Sequence, residues 1–222
     1  MPWWNPVCLS EVRAEYDFII VGAGTAGSTL AKELSGDPRS RGRHPSILVL
    51  EAGISHLPFG SKVPALYPLT FGTPIDWGYQ TVRQAGMLNR RIPCPAGKLV
   101  GGSASINAMI RLEPSTRCLS DLCKEWGDEW TVAEVQKVFQ DLETRWRGAS
   151  PQLHENTDRF LEMACQVGLG TRESMRSPRY GIAPYVRMQS QSQRRTIEHW
   201  YRVPHASDAP GSIQLLANCC VQ

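Results

Sequence analysis

The sequence predicts an α/β fold that opens with a βαβ unit, and three observations predict it. The first is the run YDFIIV at 16–21. It is short, apolar and rich in aromatic and β-branched residues, which marks a buried strand. The second is a glycine-rich turn directly after it, followed by Ala26, Leu30 and Leu34 at every fourth position, one face of a helix. The third is a second strand, SILVLE at 46–51, ending at Ala52 and Gly53. Gly36, Asp37 and Pro38 stop the helix. The polar stretch RSRGRHPS leads into the second strand, and the whole has the length of one crossover.

The remaining elements follow in order. Residues 54–96 are rich in proline and glycine and predict an extended excursion with short strands, for example over 77–81. Residues 97–110 form a glycine-serine loop that passes into an apolar helix or strand. Thr131 and Glu134 make a T-x-x-E capping box. Val132, Val135, Val138, Phe139, Leu142 and Trp146 then mark the apolar face of a helix. A further helix over 157–167 should turn Phe160, Leu161, Ala164 and Val167 inward, with Gly168 as its cap. SIQLLANCCVQ reads as a last strand, and residues 1–14 as an arm that packs its two tryptophans or frays.

Composition narrows the function. The chain has 222 residues, 41% hydrophobic and 20% charged, an ordinary globular balance. A net charge of +3 is too small to point to nucleic acid or an acidic membrane surface. Arginines thicken between Arg172 and Arg195, with Tyr180 and Tyr185 among them, and read as a solvated face or loop. The seven cysteines include no CxxC pair. Cys219 and Cys220 would point to opposite faces of a strand, which suits neither a shared metal nor a disulfide. No metal site is expected: His199 and His205 have no carboxylate or cysteine to complete a set. No apolar run approaches the roughly 18 residues of a membrane span, and the N-terminus has no signal-peptide pattern. Together with the cysteine usage this favours the cytoplasm.

The turn after the first strand is Gly22-Ala23-Gly24-Thr25-Ala26-Gly27, a full G-x-G-x-x-G. It stands in the context a dinucleotide site needs: strand before, helix after, and Glu51 at the end of the second strand. Gly22 allows the tight turn, Gly24 leaves room for a pyrophosphate, and Gly27 lets the helix pack close to the sheet. The N–H groups at Thr25 and Ala26 and the helix dipole favour a diphosphate. Glu51 would accept hydrogen bonds from the adenosine ribose and repel a 2′-phosphate, which disfavours NADP. This unit alone does not separate FAD from NAD.

A second motif, GKLVGGSASINAM at 97–109, does separate them. Together with YDFIIVGAGTAGSTLAKEL and ILVLEAG it closely resembles the glucose-methanol-choline (GMC) oxidoreductases. DWGYQT at 76–81, WGDEWTVAEVQKVFQDLE at 126–143 and the pattern Arg194, Arg195, Tyr201, Pro204 extend the resemblance to roughly 14–222. It implies a Rossmann-like FAD-binding domain over 15–222, with an irregular region covering the flavin. In the second loop Gly101 and Gly102 permit close backbone approach, and Ser103 offers a hydroxyl to phosphate or ribitol oxygens. The resemblance places Asn107, and more loosely Ala108 and Met109, near the flavin ring. It sets Val221 against the adenine through its backbone. The expected cofactor set is therefore Gly22, Gly24, Thr25, Ala26, Gly27, Glu51, Ala52, Val100, Gly101, Gly102, Ser103, Asn107, Ala108, Met109 and Val221. Lys98 reads as a surface or phosphate-side charge. Ala104 stands where the family has a second serine-like residue, and Ile106 precedes Asn107 in place of a histidine, so the FAD is expected to be non-covalent.

The resemblance also implies the chemistry: hydride from an alcohol carbon to flavin N5, with a histidine taking the hydroxyl proton. That histidine lies far toward the family's C-terminus. Histidines stand here at 44, 56, 154, 199 and 205, none in the family's catalytic context. No catalytic residue is assigned, and the chain is expected to stop before the substrate wall. Three functions stay open: part of an oxidoreductase acting on a small-molecule alcohol, a non-catalytic flavin-binding partner, and part of a family member with lyase or cyclase chemistry.

Overall fold

The computed structural model describes residues 4–36, 44–112, 114–127, 129–145, 154–169, 182, 184–190, 193–196 and 213–221. The chain packs as two compact units, Met1–Met109 with Gln191–Gln222, and Ile110–Ser190.

The first unit is built on a parallel sheet of four strands: β1 (Asn5–Pro6), β2 (Phe18–Val21), β3 (Ile47–Leu50) and β4 (Ile213–Leu216), in the spatial order β1-β4-β3-β2. Ile20 lies beside Val49, which lies beside Leu215. The central strand β3 buries Ile47, Leu48 and Val49 in succession, as a parallel strand covered on both faces does. β2 departs from the expected buried strand. It sits at the edge and buries only Ile20, with Phe18, Ile19 and Val21 exposed. The N-terminal arm is part of this sheet: Trp4 is buried in its core and Val7 N–H donates to Leu215 O at 3.0 Å.

Helix α1 (Thr25–Ser35) joins β2 to the loop before β3, with Gly36 as its C-cap. Its buried residues are Ser28, Ala31, Lys32 and Ser35, while Ala26 and Leu30 are exposed, so the expected face is rotated. The cause is the close approach that Gly27 allows. A Cβ there would stand 2.1 Å from Gly22 O and 3.1 Å from Ile20 Cγ2. A helix held that near the sheet favours small side chains along its contact line, here Ser28, Ala31 and Ser35, with Lys32 buried beside them and Leu34 packed at the margin.

The excursion after β3 contains a helical turn (Phe59–Lys62), a 3-10 stretch (Pro64–Thr70) and an antiparallel ladder of Tyr79–Gln80 with Pro93–Cys94. Asp76 organises it. One carboxylate oxygen accepts from Gly72 N–H at 2.9 Å; the other accepts from Gly78 and Ala96 N–H at 3.1 and 3.0 Å. These bonds, that from Gly72 first, hold its pKa below the ordinary aspartate value.

In the second unit Ile110–Arg111 pairs antiparallel with Val186–Arg187. Three helices belong to it: α2 (Thr116–Trp126), α3 (Val132–Arg145) and α4 (Glu155–Gln166). Helix α2 was not expected from the sequence; Ser115 Oγ caps it by accepting from Cys118 N–H at 3.2 Å. The expected capping box starts α3: Glu134 N–H donates to Thr131 Oγ1 at 3.3 Å and Thr131 N–H to Glu134 Oε2 at 3.2 Å. Val135 packs on Leu119 and Cys123, with Val132 and Phe139 beside them. Val138 is exposed, and Trp146 lies outside the described residues. On α4 Ala164 is buried, but Phe160 and Val167 are exposed, contrary to expectation. Gly168 takes φ +82 just past the end of α4, where a left-handed residue closes a helix. Among the described residues, no helix is long and apolar enough to cross a membrane.

Candidate dinucleotide site

A cleft of about 360 Å³ opens at the carboxyl ends of β2 and β3. Crevices at that end of a parallel sheet are where open α/β folds bind ligands. Its walls come from three stretches of chain. The first turn and second strand give Val21, Gly22, Gly24, Leu50, Glu51 and Ala52; the second glycine loop and its flank give Trp77, Gly97, Gly102 and Ser103. The segment after β4 gives Cys219, Cys220 and Val221.

The two glycine loops cross backbone to backbone. Gly22 takes φ +97 and its N–H donates to Leu50 O at 2.7 Å, which makes the turn out of β2. Gly24 bridges Gly101 in parallel fashion, and Gly101 N–H donates to Ala23 O at 2.8 Å. Gly102, at φ +56, brings its Cα so near that an added Cβ would lie 2.9 Å from Gly24 Cα. The space beside Gly24 is thus partly taken by the second loop. Ser103 Oγ accepts from Gly97 N–H at 3.1 Å, which leaves its own proton for a ligand oxygen.

Glu51 is buried and already engaged. Oε2 accepts from Ala23 N–H and Oε1 from Gly53 N–H, both at 2.9 Å. Each oxygen keeps a further lone pair for a ligand hydroxyl. Its backbone is fixed too: its N–H donates to Leu216 O at 2.9 Å and its carbonyl accepts from Cys219 N–H at 2.8 Å. Trp77, which also lines the cleft, stacks on Tyr79 with ring centroids 5.7 Å apart, and Lys98 Nζ stands 4.9 Å from the centroid of the Trp77 ring. The lysine charge is therefore held against an aromatic wall of the cleft.

The cleft gathers Gly22, Gly24, Glu51, Ala52, Gly102, Ser103 and Val221 from the expected set. Thr25, Ala26 and Gly27 form the first turn of α1. Val100 is buried in the sheet core beside Trp4, Ala23 and Leu215 and is not among the residues lining the cleft. Gly101 lies at the loop crossing. Asn107, Ala108 and Met109 follow the loop and do not line the cleft. Trp77, Gly97, Cys219 and Cys220 were not foreseen as lining residues. Cys219 and Cys220 lie past the end of β4, so they do not alternate across a strand as expected; both border the cleft. Arg194 belongs to no solvated face. It is 1% exposed, and its guanidinium bonds to the end of the second glycine loop. Of the described histidines, His44, His56 and His154 are exposed and none borders the cleft.

The glycine cradle, the free N-terminus of α1 and the carboxylate at the end of β3 fit the adenosine and diphosphate parts of a dinucleotide. The family profile described as GMC oxidoreductase matches residues 16–221. The chain belongs to the GMC oxidoreductase family. It is the FAD-binding N-terminal part of that family's fold. The chain is similar to the oxygen-dependent choline dehydrogenase of Rhizobium etli, 34% identical over 173 residues, which is 71% of this chain and 30% of that protein. It is similar also to the enzyme of the same name from Xanthomonas campestris pv. campestris, 38% identical over 144 residues, 63% of this chain and 25% of that protein. Among solved structures, pyridoxine 4-oxidase from Mesorbium loti superposes with a TM-score of 0.75 at 25% identity, over 92% of this chain and 42% of that one. A fungal aryl-alcohol oxidase shares the fold, with a TM-score of 0.66 at 20% identity, over 93% of this chain and 39% of that one. The chain thus spans between a quarter and a third of the length of these curated relatives.

Proposed function

We propose that this chain cradles non-covalent FAD for an oxidoreductase acting on the CH–OH group of a small alcohol. The observation that carries the reading is the crossing of two glycine loops at Gly24 and Gly102, above a carboxylate at the end of the second strand. One loop is common to dinucleotide folds; the pair in this order suits a flavin dinucleotide. When bound, FAD supplies a two-electron acceptor for hydride. Glu51 accepts from the ribose hydroxyls through its remaining lone pairs. The first turn of α1 offers N–H donors to the diphosphate, and Ser103 donates its hydroxyl proton to a phosphate or ribitol oxygen. Val221 borders the adenine end. Choline and pyridoxine, named in the relatives, set the class of substrate to try first.

A second reading is a flavin-binding partner without catalysis. It is favoured by the cleft's lack of a histidine among the described residues. One experiment tests the main reading. The purified chain is incubated with FAD, desalted and denatured. Release of a yellow flavin is expected. Uptake of a nicotinamide dinucleotide, with no flavin retained, would overturn it.

A further inference from the structure

Cys219 and Cys220 are adjacent thiols in the wall of the cleft, and the function proposed above does not use them. Local structure fixes them there. Strand β4 ends at Leu216. Asn218 then takes φ +54, a turn conformation that asparagine tolerates. Its N–H donates to Gly53 O and Cys219 N–H donates to Glu51 O, both at 2.8 Å. The segment is thereby pinned to the backbone on either side of Ala52, and both cysteines stand in the wall that Glu51 and Ala52 share. Both are free; Cys220 is exposed and Cys219 half-buried. Cys8, Cys94, Cys118 and Cys165 are exposed as well, but none of them lines the cleft, and Cys123 is buried. What separates Cys220 is its place: it is open to solvent and also lines a cleft of ligand size.

We infer that Cys220 is a thiol-exchange site: it forms a mixed disulfide with a low-molecular-weight disulfide, and this adduct and the dinucleotide exclude each other from the cleft. The inference rests on the FAD reading above. The Cys220 thiolate attacks one sulfur of the reagent. A new S–S bond forms to the protein and the reagent's own S–S bond breaks. One thiolate leaves and takes up the proton that Cys220 released. The Cys220 sulfur is oxidised and the departing sulfur is reduced, so the exchange balances. Cys219 is badly placed to displace the adduct. The peptide joining the two cysteines is trans, which sets their Cα atoms about 3.8 Å apart, short of the roughly 4.4–6.8 Å that a disulfide spans. The adduct therefore persists until an external thiol removes it. A glutathionyl group on the wall of a cleft of about 360 Å³ takes the space that a nucleotide needs.

Site-resolved labelling tests this, with other cysteines as internal controls. The reduced chain, with and without FAD, receives a brief pulse of N-ethylmaleimide, and its peptides are measured by mass spectrometry. At free FAD about a hundred times its Kd few clefts are empty, so labelling of Cys220 should slow roughly ten- to a hundredfold. Cys118 and Cys165, which belong to the second unit, should label at one rate in both samples. In the converse arm the chain is treated with glutathione disulfide, desalted and offered FAD. Chain carrying the adduct at Cys220 should retain no flavin, and dithiothreitol should restore uptake. Treated Cys220→Ser should retain as much flavin as the same variant untreated. Retention lost on treatment in Cys220→Ser would overturn the assignment to this thiol. Equal labelling of Cys220 in FAD-loaded and empty chain, or full flavin retention by the Cys220 adduct, would overturn the mutual exclusion and leave the FAD reading standing. Should the chain take up no FAD, the FAD reading falls, and the same pulse is run with ADP, which carries the adenosine and diphosphate that dinucleotides share. Slower labelling of Cys220 under ADP would uphold the site; an unchanged rate would overturn it.

Discussion

Glu51 carries a structural and a binding role on one carboxylate. It ends β3, accepts two backbone N–H groups from the turns on either side, and borders the cleft. Its replacement should therefore change stability as well as affinity. Glu51→Gln sets an NH2 against one of those N–H donors and leaves that donor buried and unpaired. A loss of about 1–3 kcal/mol in unfolding free energy is expected, together with weaker FAD binding. Denaturant unfolding of the apo-protein beside a FAD titration separates the two; weaker binding at unchanged stability would mean the backbone bonds contribute nothing. Gly102 gives a second residue-scale prediction. Alanine there must adopt φ +56 and place its Cβ 2.9 Å from Gly24 Cα. The left-handed backbone alone costs about 1–2 kcal/mol, and the two loops must part. Gly102→Ala should lose both stability and FAD binding, measured in the same pair of assays. Gly86, with nothing within 4 Å of an added Cβ and no positive φ, is the control that should tolerate alanine.

At the scale of elements, the capping box of α3 was legible because both partners lie three residues apart, within one helical turn. Thr131→Ala should cost about 1 kcal/mol, read as a fall in melting temperature, and Thr131→Ser should restore most of it. The excursion after β3 was not legible as an ordered piece, because no period runs through it. Its order comes from Asp76, whose three N–H donors are drawn from four residues before, two after and twenty after. The folded pKa of Asp76 lies below the unfolded one. Its contribution is thus complete above the ordinary aspartate value of about 3.9 and is lost as pH falls through the lower folded value. The stability gap between wild type and Asp76→Asn should narrow as pH drops below about 4, followed by denaturant unfolding at several pH values. A gap that stays constant over that range would show the carboxylate charge is not what anchors the loop. Helix faces were read less well than helix positions. Leu30, Val138, Phe160 and Val167 fit their apolar stripes yet are exposed. A stripe states which residues share a side of a helix; which side is buried depends on what packs there.

For the whole molecule, FAD should act as a stabilising ligand. At a free concentration one hundred times its Kd, the first unit should gain about 2.7 kcal/mol, visible as a higher melting temperature. No alcohol should reduce the bound flavin in the 222-residue chain. Among the described residues no histidine borders the cleft, and a reaction without a positioned general base commonly loses a factor of about 10²–10⁴. Anaerobic bleaching of FAD by choline, pyridoxine or an aryl alcohol, lost on replacing one histidine, would overturn this.

The amino-acid order by itself determined the βαβ start, the glycine turn, the acid closing the second strand and the flavin-type second loop. Each of these is written in neighbouring residues, through the short apolar run of a buried strand, the near-four-residue period of a helix, or the backbone freedom of glycine, with the flavin reading of the second loop coming from its resemblance to the family. Only the tertiary structure decided that Gly24 and Gly102 meet, that Glu51 clasps both turns, that Cys219 and Cys220 border the cleft, and that Arg194 is buried on Asn107. Those facts join residues far apart in the chain. An arginine among polar neighbours looks solvated until other segments close over it, and a glycine declares that space is needed without declaring what will fill it.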